Sequence, residues 1–430
     1  MGDFTTLLYR WNEKRKLKKS LVRIENENTK NKGIINYQAS DIEAFIERDP
    51  HVGSYLISGG VIDNRAKVLV GIAACSIMQN VPVIILHEGN MSINNHLQQL
   101  GIPSSILQFI HPSSENYDPF YNRSSDEIST LCFNAQRETL KVTPIGQQYI
   151  KGISDFLLAK GVSPFIQLFI KCPFDDLFEK VDAAYNKGKI SETMANTIKT
   201  ELIQGQVESA NVRALFADLT THCSGTLYQR RSGISPCNIR SSIVNNGVIA
   251  IDVGSGANET IMNLLICEIR EAVSNGVEIM LIIDNIGINS ALSLNKLLKS
   301  ISSRCHTTIA GDDVYSLLGS DENLFNSFVG NANQNVIFTH SSGAACTRWA
   351  EIIGHYDEKK ISQNQGSTRH TMRENNPFFP WQGGYAAINQ YSFSTSREYI
   401  VRPEELARMS ENEVYIIDQT RRELLHALIN

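Results

Sequence analysis

Long apolar runs, closely spaced cysteines and an excess of either charge are all missing from this 430-residue chain. The longest largely apolar run covers residues 68–78, between Lys67 and Gln79. A helix needs about 20 such residues to cross a bilayer core, so this run does not span a membrane. The first apolar stretch is short and runs into Lys14, Arg15, Lys16, Lys18 and Lys19, which argues against a secretory signal. The eight cysteines are scattered, without the spacing of a zinc clip or a redox pair. Most sit among apolar neighbours, as Cys267 does after Leu264-Leu265-Ile266, and read as buried thiols of a reducing compartment. Forty basic residues against 45 acidic leave a net charge of −5. That excludes a uniformly basic nucleic-acid coat but leaves room for a local basic stripe. A soluble, internal protein is expected.

What is present suits a folded α/β chain. Apolar residues make up 42% of the sequence, enough for a sizeable core. Residues 1–35 form a polar, charged arm that reads as an amphipathic helix, a membrane-surface or partner-binding arm, or a frayed end. Val52-Gly53-Ser54-Tyr55-Leu56-Ile57 reads as a strand entering Ser58-Gly59-Gly60, followed by a buried helix over 66–78 and a strand over 81–86. Strand, glycine turn, helix, strand is the signature of a parallel sheet. Residues 106–110 suggest a further short strand. Apolar positions then recur at helical spacing from 146 to 232. Sheet texture returns with strands over 247–253, 277–283, 307–310 and 336–339, and helices over 260–273 and 292–301. The polar tract 356–376 reads as a long loop or a partly ordered segment, and residues 413–418 as a closing strand.

Two places carry candidate chemistry. Gly59-Gly60-Val61-Ile62-Asp63-Asn64-Arg65-Ala66 lies between a strand and a helix, the setting of the phosphate-binding G-x-x-x-x-G-K-[ST] loop. In that register Gly59 keeps the first glycine, Asn64 stands for the second, Arg65 for the lysine and Ala66 for the hydroxyl. Asn tolerates a left-handed backbone, Arg65 still carries a positive charge, and Ala66 has no oxygen for Mg²⁺. The same residues also suit a tight strand-to-helix turn. The second place is Ile279-Met280-Leu281-Ile282-Ile283-Asp284-Asn285, a buried strand ending in a carboxylate, where Asn285 replaces the acid that would polarise water. An Asp capping a buried strand fits equally well. Asp252 before Gly254-Ser255-Gly256 either lines a cleft or makes a turn. No metal-ligand cluster and no catalytic triad stands out.

Taken in order, these blocks resemble the cytoplasmic part of the type IV secretion coupling proteins, the ring-forming, DNA-pumping ATPases of bacterial conjugation. The resemblance spans about residues 50–425. Val83-Ile84-Ile85-Leu86-His87-Glu88-Gly89-Asn90 is similar to the family's second strand and its turn. Tyr117-Asp118-Pro119-Phe120-Tyr121-Asn122 is similar to its aromatic turn, and Arg402-Pro403-Glu404-Glu405-Leu406 with Met409 to Glu413 to its closing segment. The resemblance implies a RecA-like P-loop core with a mostly parallel sheet flanked by helices, built from 36–145 and 233–430. It also implies an all-α insertion over 146–232.

The departures from the family fall on catalysis. The loop lacks the lysine, the hydroxyl and one glycine, Asn285 replaces the glutamate, and Ala310-Gly311-Asp312-Asp313 stands where a phosphate-sensing Gln is usual. The pair of membrane helices has no counterpart. The resemblance therefore implies a structural or adaptor subunit of a conjugation or type IV secretion machine, with lost or very weak ATPase activity and no catalytic residues. Gly59, Gly60, Asn64 and Arg65 would hold ATP or ADP weakly, with Asp284 and Asn285 opposite and the need for Mg²⁺ left open. Partners would be other secretion proteins, DNA, further copies in a ring, or an active paralogue. The location would be cytoplasmic, with peripheral attachment at the inner face of the cell membrane left open. Two other readings are an active DNA-dependent ATPase, with Arg369 and Arg373 as candidate fingers acting in trans, and a protein-binding module that keeps only the fold.

Overall fold

A computed structural model describes residues 2–36, 53–111, 117–136, 142–164, 169, 174–222, 236–254, 259–287, 305–370 and 384–429. The strands are β1 (Ile34–Asn36), β2 (Tyr55–Ser58), β3 (Val83–His87), β4 (Leu107–Ile110), β5 (Val248–Asp252), β6 (Ile279–Asp284), β7 (Cys305–Gly311), β8 (Gln334–Ile337), β9 (His355–His370), β10 (Gly384–Tyr399), β11 (Glu413–Asp418) and β12 (Glu423–Leu428). Ten of them form one sheet in the order β1-β12-β11-β8-β2-β7-β6-β3-β5-β4. From β8 to β4 every pairing is parallel, while β11 runs antiparallel to both β8 and β12.

A parallel sheet covered on both faces favours strands that are nearly continuous apolar runs, and β2, β3, β5 and β6 are such runs up to their last residue. All six residues of β6 and all five of β3 are buried. Alternate residues feed two cores. Tyr55, Ile57, Val83, Ile85, Met280 and Ile282 pack with α2 (Ile62–Met78) and α3 (Met91–Gln99), while Leu56, Ile84, Leu86, Leu281 and Ile283 face the other side.

On that second side lie α4 (Ser125–Ala135), α5 (Pro144–Ala159), α6 (Phe174–Asn186), α7 (Glu192–Gly205), α8 (Ser209–His222), α9 (Ile239–Val244) and α10 (Glu259–Ser274). Ser124 and Glu127 close a capping box on α4, and Pro144 opens α5. Helices α5 and α7 approach closely because Gly205 has no side chain; a methyl group there would run into Tyr149. Beneath α4 and α10 sits a buried polar clamp. Tyr117 donates to Glu268 at 2.8 Å, and Arg123 donates to Glu268 at 3.2 Å and also to Glu271. The chain continues through α11 (Val314–Leu317), α12 (Glu322–Asn331), α13 (Gly343–Ile353) and α14 (Pro403–Ala407).

Two sequence expectations are corrected. The tract expected as a loop over 356–376 is strand through residue 370. Residues 355–370 pair antiparallel with 384–399 as a two-stranded ribbon apart from the main sheet. The ribbon satisfies its backbone groups by pairing strand with strand, so a polar sequence suffices. The N-terminal arm is not frayed: α1 (Gly2–Lys32) is one helix that packs against β9 through its last turns. The expected helix over 292–301, Ser255, Gly256 and Arg373 lie outside the described residues. Among the described residues, no helix is long and apolar enough to cross a membrane, and no group of His, Cys, Asp or Glu side chains is arranged to hold a metal ion. The six described cysteines are free thiols, buried or half-buried.

Candidate functional site

In a parallel α/β sheet, ligand sites form beyond the carboxyl ends of the strands. Here β2 ends at Ser58 before Gly59-Gly60, β3 at His87, β5 at Asp252, β6 at Asp284 and β7 at Gly311 before Asp312. Gly59 and Gly60 turn the chain with φ of +86° and +76°, conformations that suit glycine. Space is as tight as the backbone. A Cβ at Gly59 would lie 2.6 Å from the Thr339 carbonyl oxygen, and one at Gly60 2.7 Å from the Phe338 ring. Gly59→Ala is therefore expected to cost about 2–4 kcal/mol in chemical denaturation, from left-handed strain plus overpacking. Gly89, at φ +66° with open space around it, serves as the control; Gly89→Ala should cost only about 1 kcal/mol.

The turn after β2 is shorter than a phosphate-binding loop. Helix α2 starts at Ile62, four residues before the position at which the sequence pattern places it. Asn64 and Arg65 consequently lie in its first turn, and Asn64 does not adopt the left-handed backbone expected of it. Its side chain instead donates to the Glu411 carbonyl at 2.8 Å and to the Asn412 side-chain oxygen at 3.0 Å, tying α2 to the segment before β11.

Arg65 is the centre of the arrangement. It is 1% exposed and its Nη1 donates to the carbonyls of Gly59 and Gly60 at 3.2 and 2.9 Å and to Asp312 at 2.6 Å. Its Nε lies 3.6 Å from Asp284 Oδ1. A cation in the first turn of a helix opposes the helix dipole, and the two carboxylates offset that. Asp284 is also 1% exposed and accepts from Asn90 Nδ2 at 2.7 Å. Burial pushes its carboxyl above the ordinary range, against Asn90, Arg65 and His87, which pull it down. Burial likewise lowers His87 and His340, favouring the neutral ring against the pull of nearby carboxylates. Asp252, at the end of β5, accepts from the Gly89 and Gly254 amides at 2.9 and 3.0 Å.

A phosphate loop works by aiming free backbone N–H groups at the ligand. In this chain Gly59 N–H donates to the Gly311 carbonyl and Gly60 N–H to the Thr339 carbonyl, each at 2.9 Å. The loop's carbonyls point at the Arg65 guanidinium, which bridges the loop to Asp284 and Asp312. Ala66 offers no hydroxyl to a metal. The Gly59 and Gly60 amides are thus already engaged within the fold, and position 66 supplies no oxygen for Mg²⁺.

Of the sequence-predicted residues, the fold brings Gly59, Gly60, Arg65 and Asp284 together. Asn64 faces away to Glu411. Asn285 follows Asp284 with φ +58°, its N–H donating to the Ala310 carbonyl at 2.8 Å. Arg369 lies on β9 opposite Tyr385, on the ribbon and not in the main sheet. His340 and the clamp of Tyr117, Arg123, Glu268 and Glu271 escaped the sequence reading, and no spacing signal announces them.

No protein-family model matches the chain, and no curated protein matches it in sequence. Solved structures do. The bacterial conjugative coupling protein TrwBΔN70, in a trigonal form with sulphate, matches with a TM-score of 0.52 at 14% identity. TrwB with the ATP analogue ADPNP gives 0.52 at 13%, and TrwB with ADP and Mg²⁺ gives 0.51 at 13%. Each match covers 89% of this chain and 86% of the other. The expected resemblance holds at the level of architecture: this chain has the RecA-like α/β fold of the conjugative coupling protein TrwB.

Proposed function

We propose that this protein is a non-hydrolysing subunit of a type IV secretion or conjugation machine, a structural or adaptor relative of the DNA-pumping coupling proteins. The observation that carries this reading is Arg65, buried between the loop carbonyls, Asp284 and Asp312. The ion pair replaces a nucleotide as the link between the turn after β2 and the ends of β6 and β7. A motor needs that link to form and break with nucleotide; here it is internal and permanent. The fold would then serve assembly, next to further copies or an active paralogue, with the helices of 146–232 as an inserted unit facing partners. Coupling-protein structures carry ADPNP, or ADP with Mg²⁺, and the contrast with them is the test.

Calorimetric titration of the protein with ATP and ADP, with and without Mg²⁺, is expected to give no heat of binding. Micromolar Mg²⁺-dependent binding with turnover at or above about 1 s⁻¹, abolished by Asp284→Ala, would overturn the proposal in favour of an active ATPase.

A further inference from the structure

Helix α1 is the most basic element of an acidic protein. Its 31 residues carry nine Lys and Arg against four Asp and Glu, a net charge of +5. The whole chain is at −5, so everything outside α1 stands at −10. The charge is concentrated further. Between Arg10 and Arg23 there are seven basic residues and one acid, Glu13.

The helix does not earn its place by burying a face. Its contacts with β9 lie in the last turns. Asn28 exchanges two hydrogen bonds with the Lys359 backbone at 3.0 Å, Glu27 pairs with the Lys359 side chain at 2.9 Å, and Lys32 lies over the Tyr356 ring. Upstream, Trp11, Lys14, Arg15, Lys18, Lys19, Leu21 and Val22 are exposed. Arg10 and Lys14, Lys14 and Lys18, Arg15 and Lys19, and Lys19 and Arg23 are spaced i, i+4, a repulsive spacing for like charges. A stretch built this way is stabilised by a partner of opposite charge.

The arrangement of the charges names the class of partner. At 100° per residue the charges of 10–23 surround the helix, leaving no charge-free sector wider than about 60°. A helix lying on a lipid surface needs an apolar stripe of roughly 100° or more, which these charges interrupt. Seven cations spread over about 20 Å of helix match a nucleic-acid backbone, where a duplex presents roughly 12 phosphates in the same length. We infer that α1 is a nucleic-acid backbone contact, binding phosphates without reading sequence, while the acidic body is held off. This inference goes beyond the reading of the Arg65 site and does not depend on it.

The test is fluorescence anisotropy of the full chain with a labelled 24-base-pair duplex and a 24-nucleotide single strand, in 50–200 mM NaCl. Binding at 50 mM is expected, with a log–log salt slope near −4.5 for about five duplex phosphates, or roughly 500-fold weaker binding at 200 mM. Substituting Lys14, Arg15, Lys18 and Lys19 together by Gln keeps helix propensity. It should flatten the slope by about 3 to 4 and leave the denaturation curve unchanged. No binding at 50 mM, or an unchanged slope in the substituted protein, overturns the inference. So does binding to phosphatidylglycerol vesicles with both oligonucleotides left free, which would assign α1 to a lipid surface.

Discussion

Arg65→Ala is expected to lower the unfolding free energy by about 3–5 kcal/mol, read as a shift of the denaturant midpoint at unchanged slope. Removing the guanidinium takes away the cation 3.6 Å from Asp284 Oδ1 and leaves that carboxylate, 1% exposed, with the Asn90 hydrogen bond to its other oxygen. It also strips two carbonyls, Gly59 and Gly60, of their shared donor. A buried charge left without its counter-ion is among the most damaging single changes a core can suffer. Arg65→Lys keeps the charge but not the planar fork that reaches the carbonyls and both carboxylates at once, and should fall between wild type and Ala. Adding Asp284→Asn to Arg65→Ala removes the stranded charge and should recover part of the loss, a positive coupling in a double-mutant cycle. A phosphate loop awaiting nucleotide makes the opposite forecast, because its basic side chain faces an open site and its loss is close to neutral for stability. A near-neutral Arg65→Ala would therefore count against the internal ion pair as the link between β2, β6 and β7.

The parallel sheet was legible because both its faces are buried. Strands such as Val83–His87, Val248–Asp252 and Ile279–Asp284 are continuous apolar runs that end in an imidazole or a carboxylate. The turn between β2 and α2 was legible as a place but not as a conformation. Asn64 and Arg65 have the spacing of a loop, yet the backbone enters the helix at Ile62, and that shift decides whether amides or carbonyls face the site. The ribbon of 355–370 and 384–399 left no apolar alternation to read, because its strands pair mainly with each other. For α1, charges on every side left a helix as one of three readings of the arm. The clamp around Glu268 joins Tyr117, Arg123 and Glu271 across about 150 residues of sequence, and only the fold brings them together.

That clamp carries a pH signature. Glu268 is fully buried, and burial pushes its carboxyl up from 4.5 to about 7, despite Arg123 and the Tyr117 hydroxyl, which favour the charged form. The folded protein thus binds a proton at Glu268 that the unfolded chain has released between pH 4.5 and about 7. Where the folded state binds more protons, stability falls as pH rises. The contribution is fully present below about pH 4.5 and is lost as pH climbs through about 7, a total of about 3 kcal/mol. Glu268→Gln is neutral throughout and keeps an oxygen for the Tyr117 hydroxyl. Denaturation between pH 5 and 7.5 should therefore show wild-type stability declining relative to Glu268→Gln, with the difference levelling off near neutrality. Parallel curves for the two proteins would mean that Glu268 is already ionised at pH 5. The pairing with Arg123 would then outweigh burial, and the clamp would be a salt bridge at every pH at which the protein is folded.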